Sequence, residues 1–219
     1  MIERPIIHAT VEWPDATETA AGARVRLAAK FPRNALRRMT HLGMLVGSTL
    51  ENVGLGGEDA VVYASTFGET RALEEYLDGL PEASPMLFQT SIHPGAVQQA
   101  LIARQQSVAR LWPNAGGARI LEDALLCAML ETAEKVALVA GEERGTWMLE
   151  HGMAASRPFA AALVLGRGAT DAIGRVRFSP GGTGLTDRCP SLEGWTRLLN
   201  TRDGMEWQGS AGRWTVEWQ

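Results

Sequence analysis

Four kinds of side chain in this sequence could carry chemistry: a serine in a strand-to-helix turn, a histidine ahead of a proline, two cysteines, and a run of closely spaced arginines. Ser65 lies in Ala64-Ser65-Thr66-Phe67-Gly68, after the apolar run AVVYAST and before a helical stretch. A serine so placed could serve as an acyl nucleophile, but the turn is not the GxSxG elbow of the α/β-hydrolases. His93 lies in SIHPG. An imidazole there could line a pocket or act as a general base; the plainer reading is a loop residue that fixes the turn before Pro94. A third turn, Trp112-Pro113-Asn114-Ala115-Gly116-Gly117-Ala118, joins a strand to a strongly apolar helix. Many α/β enzymes present a nucleophile at such an elbow, where the helix N-terminus stabilises a developing anion. This turn holds no Cys, Ser, Thr, Asp, Glu, His or Lys, so residue type alone excludes a nucleophile there. Asn114, Gly116 and Gly117 are left as elbow or pocket candidates, the glycines either admitting a close approach or only making the turn.

Cys127 sits inside an apolar helical pattern and Cys189 stands alone. Neither fits a zinc spacing or a CxxC redox motif. His8, His41, His93 and His151 are scattered, with no HExxH motif. GLGG at 54–57 and PGGTG at 180–184 match neither the dinucleotide fingerprint nor the P-loop and read as turns. The expectation is therefore no catalytic residue, no metal and no cofactor. The arginines at 33, 37 and 38, with those at 104 and 110, could gather into a basic patch on an otherwise acidic chain, or could be solvated singly.

The elements that would position these residues alternate in type. IIHATVEW at 6–13 reads as a strand, and the stretch from Pro14 to about residue 30 as a loop or insertion. From Asn34, the apolar residues Leu36, Met39, Met44, Val46 and Leu50 recur on one helical face, with Arg33, Arg37 and Arg38 off it. AVVYAST at 60–66 and VALVAGEE at 136–143 are continuous apolar runs suited to buried strands. An acidic helix opens at Gly68, an irregular connection spans Pro81 to Gly95, and a helix follows to Arg104. SVARLW at 107–112 reads as a strand. ILEDALLCAMLETA at 120–133 reads as a helix apolar nearly all round, which belongs in an interior or at an interface. A long loop after Gly145 precedes two further strands, at 159–168 and 174–180. This order predicts a single three-layer α/β domain over 1–219: a mixed five-stranded sheet, helices on both faces, and a β-rich C-terminal tail. The tail, 181–219, holds Trp195, Trp207, Trp214 and Trp218. They read as a hydrophobic cap on the core, or as a surface for a partner or an acyl chain.

Composition narrows the function classes. The chain has 219 residues, 45% of them hydrophobic, and a net charge of −4. That favours a globular fold and gives no support to nucleic-acid binding. No apolar run is long enough to span a bilayer, and the N-terminus lacks the pattern of a signal peptide, so a cytoplasmic location is expected.

Several segments, in order, resemble the N-terminal half of the β-ketoacyl synthases. They are FPRNALRRMTHLGMLVGSTLENVGL, AVVYASTFGET, LPEASPMLFQTSIHPGAVQQALIARQQS, and SVARLWPNAGGARILEDALLCAMLETAEKVALVAGEE. The resemblance is strongest over 31–143 and extends weakly to about 180. FQTSIHPG looks closest to the short synthase-like proteins of aryl polyene pigment pathways. The resemblance implies a thiolase-like half. It also implies that the family's nucleophilic cysteine belongs in the elbow where this chain has Pro-Asn-Ala-Gly-Gly, and that family members run to about twice this length, with catalytic histidines in a second half absent here. Chain-length factors are the family's precedent for an inactive copy paired with an active one. By that precedent the chain would be a non-catalytic subunit pairing with a β-ketoacyl synthase, or with itself, to shape the cavity for a growing acyl chain. Pairing would run through the edge strand before the elbow and nearby loops, here Gln89, Ser91, Val108, Arg110 and Trp112, with Phe88 and His93 beside the pocket. Arg33, Arg37 and Arg38 would form a patch for an acidic acyl carrier protein. Two alternatives remain open: a stand-alone module binding an acyl carrier protein or acyl chain, and a serine acyltransferase or esterase using Ser65.

Overall fold

Uninterrupted apolar runs make the middle of the sheet. In the computed structural model, which describes residues 1–51, 53–82, 84–168, 171–181 and 189–219, every residue of AVVYAS and of FAAALVLG is buried. The chain runs β1 (Ile2–Glu12), α1 (Ala20–Arg26), α2 (Arg33–Leu36), α3 (His41–Thr49), β2 (Ala60–Ser65), α4 (Thr70–Asp78), α5 (Pro85–Thr90), α6 (Gly95–Ala103), β3 (Arg110–Ala115), α7 (Ile120–Leu130), β4 (Lys135–Glu142), α8 (Trp147–Glu150), β5 (Phe159–Gly166), β6 (Gly174–Pro180), α9 (Leu192–Thr201), β7 (Met205–Gln208) and β8 (Gly212–Trp218).

Among the described residues there is one sheet of eight strands, ordered β3-β2-β4-β5-β1-β6-β8-β7. β3, β2 and β4 are parallel; β5 is antiparallel to β4 and to β1, and β6, β8 and β7 continue antiparallel. The mixed α/β architecture is as expected, but the sheet has eight strands rather than five. The difference lies in the C-terminal part. It is no separate tail: β6, β8 and β7 extend the sheet past β1, and α9 packs back across it. Alternation in these strands is strict, Val176, Phe178, Met205, Trp207, Trp214 and Val216 being buried while their neighbours are not. The opposite face carries a ladder of Glu3, Arg175, Arg177 and Glu217 ion pairs at 2.6–3.0 Å. PGGTG lies mostly outside the described residues.

Two cores sandwich the sheet. On one face α7 and α9 pack with Trp195, Trp207 and Trp214. On the other, α3 and α6 pack with Leu27, Phe31 and Met39. All of α3 is buried. Its Gly47 is a close-approach position, because a Cβ there would come 2.7 Å from the Phe31 ring. The helix foreseen from Asn34 is in fact two, α2 and α3, separated where the Thr40 hydroxyl caps the Gly43 amide at 3.0 Å. Three segments expected to be irregular hold helix: α1, where Thr19 caps Gly22; α5, where Ser84 caps Met86 ahead of Pro85; and the single turn α8. In each case a short helix sits among residues whose composition favours loops, the first two opened by a side-chain cap.

Candidate functional site

The parallel strands β2, β3 and β4 end on the same side, the end at which open α/β sheets place their sites. A set of buried carboxylates gathers there. Glu142, the last residue of β4, accepts a hydrogen bond from the Ser65 hydroxyl at 3.0 Å and from the amides of Thr66 and Phe67. Glu143 accepts from the amides of Arg71 at 2.7 Å and Leu42 at 3.3 Å, at the starts of α4 and α3. Glu69 accepts from the Ala96 amide at 2.9 Å, and Glu74 from those of Thr146 and Met148 at 2.6 and 3.0 Å. Each carboxylate thus takes amides that a helix start or turn leaves without partners. Burial raises Glu142 and Glu143 to about 7, although the donors pull the other way. The sequence carried a signal for this pair: two consecutive acids closing an apolar strand, VALVAGEE. Residue type alone argues against burying such a pair, because charged residues are rarely fully buried.

Ser65 is fully buried, and its hydroxyl is engaged by Glu142 and by the Gly68 amide at 2.8 Å. That geometry gives an acyl donor no approach. His93 stacks on Tyr63, with centroids 4.7 Å apart, and its Nδ1 lies 3.7 Å from Glu69 Oε2. Among the described residues, the Tyr63 hydroxyl, Glu69 Oε2 and both His93 nitrogens are buried without hydrogen-bond partners. Phe88 lies on α5, half exposed, 5.4 Å from the Tyr76 ring. Gln89 and Ser91 lie at the end of the same helix, where the Ser91 hydroxyl bonds the Phe88 carbonyl.

The elbow differs in register from the expected one. The strand begins at Arg110 instead of residue 107 and runs through Ala115. Trp112, Pro113, Asn114 and Ala115 therefore belong to the strand, paired with Val62 to Ser65, and the turn proper starts at Gly116. Gly116 and Gly117 have φ of +76° and +83°, with open space where a Cβ would project; they are required by backbone conformation. Asn114 Nδ2 donates to the Trp112 carbonyl at 3.2 Å. Cys127 lies two turns into α7 on its outer side, and burial, helped by Glu131, raises its thiol pKa.

Among the described residues β3 is the edge of the sheet, hydrogen-bonded only to β2. Arg110 and Trp112 stand exposed on it, and both converge on Glu131: the Trp112 indole donates at 2.6 Å and Arg110 at 2.8 Å. Burial works against the charge of Glu131, but these donors and the amides of Thr132 and Ala133 outweigh it and bring its pKa down to about 2. Trp112, Leu130 and Cys127 border a groove beside the strand. Val108 is partly buried against the α3–α6 core. The five edge candidates thus fall into two groups, Val108, Arg110 and Trp112 at β3 and Gln89 and Ser91 at α5. Of the three arginines expected to form a patch, Arg37 and Arg38 line a cleft of about 1210 Å³, and Arg33 does not.

No protein-family model matches the sequence, and no curated protein matches it. Solved structures do. A chain of the ketosynthase in complex with its chain length factor from Xenorhabdus doucetiae superposes with a TM-score of 0.70 at 19% identity, over 99% of this chain and 100% of that one. The chain has the β-ketoacyl synthase fold. The ishigamide ketosynthase/chain length factor matches at a TM-score of 0.59 and 15% identity, over 82% of this chain and 68% of that one. A β-ketoacyl synthase from Burkholderia phymatum STM815 matches at 0.53 and 15%, over 72% and 52%. The synthase fold therefore occurs at this length in the X. doucetiae structure, whereas the B. phymatum chain extends well beyond the match. In this synthase-like chain, α9 lies on the same face of the sheet as α7, and the Glu122 carboxylate of α7 accepts from Ser210, Ala211 and Trp214 of the β7–β8 hairpin. Among the described residues no helix is long and apolar enough to cross a membrane.

Proposed function

We propose that this chain is a non-catalytic, chain-length-factor-like subunit. It would pair with an active β-ketoacyl synthase in the cytoplasm and help shape the cavity that receives a growing acyl chain, in aryl polyene-type biosynthesis. The observation that carries this is the end-to-end match to a chain of a ketosynthase–chain length factor complex. An elbow without a nucleophilic side chain supports it, since carbon–carbon bond formation of this kind needs an activated nucleophile. The edge strand β3 offers unpaired backbone groups and an exposed indole, features that suit strand-to-strand association.

The test is co-expression with a ketosynthase from the same genomic neighbourhood, then size exclusion with light scattering. The expected result is a one-to-one complex whose synthase activity needs both chains. Trp112→Asp is expected to weaken that complex at least tenfold while the isolated chain still melts cooperatively, at a temperature lowered by the loss of the indole donor to Glu131. A homodimer that ignores the synthase, or a complex indifferent to Trp112→Asp, would overturn the partner or the edge, respectively.

A second reading has its own support. Arg37 and Arg38 are exposed and line the large cleft, as docking of an acidic acyl carrier protein would require. Binding of an acyl carrier protein to the chain alone, lost on reversing both arginines, would favour a stand-alone carrier-binding module.

A further inference from the structure

The cleft holds more than the two arginines that sequence drew attention to. It lies between α1, the turn before α3, α4, α5 and the β4–α8 connection, with a volume of about 1210 Å³. Arg24 enters from α1, Arg37 and Arg38 from the turn before α3, and Arg144 from the residues after β4. Among the described residues Arg37, Arg38 and Arg144 make no ion pair, and Arg24 reaches only the Met39 carbonyl at 3.4 Å. The acids nearby do not neutralise them. Glu18 is held by Arg26 at 2.7 Å and by His41 at 3.2 Å. Glu143 is fully buried and bonded to backbone amides. Among the described residues, only Glu75 and Glu150 line the cleft as exposed carboxylates.

Four guanidinium groups from three segments, none of them ion-paired among the described residues, on a chain of net charge −4, are the arrangement that recognises an oxyanion: planar forks that bond carboxylate or phosphate in pairs. The lining is not uniformly polar. Met86, on α5, and Trp147, which opens α8, contribute apolar surface, and the indole N–H of Trp147 is buried without a partner. A pocket of this size with an apolar wall and a few converging polar groups suits a small molecule with a distinct head and tail.

We propose that the cleft binds an oxyanion carried on an apolar stem, a carboxylate or phosphate monoester at the end of an alkyl chain. The site is independent of the β3 edge, so it stands or falls separately from the pairing with a synthase. The test is calorimetric titration of the full chain with decanoate, decyl phosphate and decanol, repeated across a salt series. Both anions are expected to bind at least tenfold more tightly than decanol, with an affinity that falls as salt rises. Preference for the phosphate would point to a phosphorylated arm as the natural ligand, and preference for the carboxylate to a fatty acid; either agrees with the proposal. Arg144→Glu, and separately Arg37→Glu with Arg38→Glu, are expected to weaken anion binding at least tenfold while leaving decanol unaffected. Arg213→Gln, on β8 and not part of the cleft lining, should change neither. Equal affinity for decanol and the anions, salt-independent binding, or anion binding unchanged in both cleft variants would overturn it. Arg144→Glu should leave the synthase complex intact, so loss of one activity is distinguishable from loss of the other.

Discussion

Replacing Trp214 with alanine separates the two roles open to the tryptophan-rich C-terminal segment. Trp214 is fully buried, 4.5 Å from the Phe178 ring and 5.9 Å from Trp207, and its indole N–H points at Glu122, 3.4 Å away. Truncating a buried tryptophan costs about 3–5 kcal/mol through lost transfer energy and the cavity left behind. Glu122 also loses one of its donors. With an unfolding entropy of about 2.1 cal/mol/K per residue, 4 kcal/mol in a chain of 219 residues lowers the melting temperature by about 9 °C. Trp218 supplies the internal comparison. Its ring is only partly buried and its N–H bonds the Asp203 carbonyl at 3.1 Å, so Trp218→Ala should cost about 1 kcal/mol, near 2 °C. Calorimetric melting of the isolated chain reads both. If Trp214→Ala melted with the wild type while weakening association with a synthase, the segment would be a docking surface and the packing argument would be wrong.

Two further outcomes follow from the same structure. Glu142 and Glu143 titrate near 7 in the folded chain against about 4.5 when unfolded, so between those values the unfolded state binds fewer protons. Stability should therefore fall as pH rises from about 4.5 to 7, on the order of 1 kcal/mol per pH unit for each carboxyl. Glu131, depressed to about 2, acts oppositely: its contribution is present above pH 4.5 and is lost as pH falls toward 2. Urea midpoints measured across pH should give a dome with its maximum on the acid side of neutrality; a midpoint rising steadily from pH 5 to 8 would refute the assignment. Gly212→Ala should destabilise by about 1–3 kcal/mol, because the added Cβ would come 2.3 Å from the Ser179 carbonyl oxygen, which is backbone and cannot swing aside; an unchanged denaturation midpoint would show that the β6–β8 pairing is looser than described.

The buried strands β2, β4 and β5 and the helix α7 were legible because each is an uninterrupted apolar run, a pattern that depends on local sequence alone. The end of β3 was not. Pro113 and Gly116 read as a single turn, yet an edge strand tolerates proline, whose missing N–H can face solvent. α1 and α5 were lost for a different reason: Thr19 and Ser84 are good caps, but the helices they open are short and mostly polar or exposed, so no periodicity announced them. At the cleft, Arg37 and Arg38 stood out by adjacency. Arg24, Arg144 and Trp147 come from segments read as loop, and only the fold brings them to the same place. The carboxylates at the sheet's carboxyl end were overlooked because what satisfies them is backbone amides, which no residue-type pattern displays.

The two ends of the sheet are unequal. At one, β3 offers six residues of unpaired strand; at the other, β7 offers four, with Arg213 of the neighbouring strand paired to its Glu206. A sheet with two long open ends can add chains indefinitely, in the manner of a fibre. Pairing through β3, as proposed above, would use the longer edge and leave only the four-residue β7. On the proposed pairing, association through β3 would favour two chains over a growing fibre, and the length of its last strand would set the stoichiometry of the assembly.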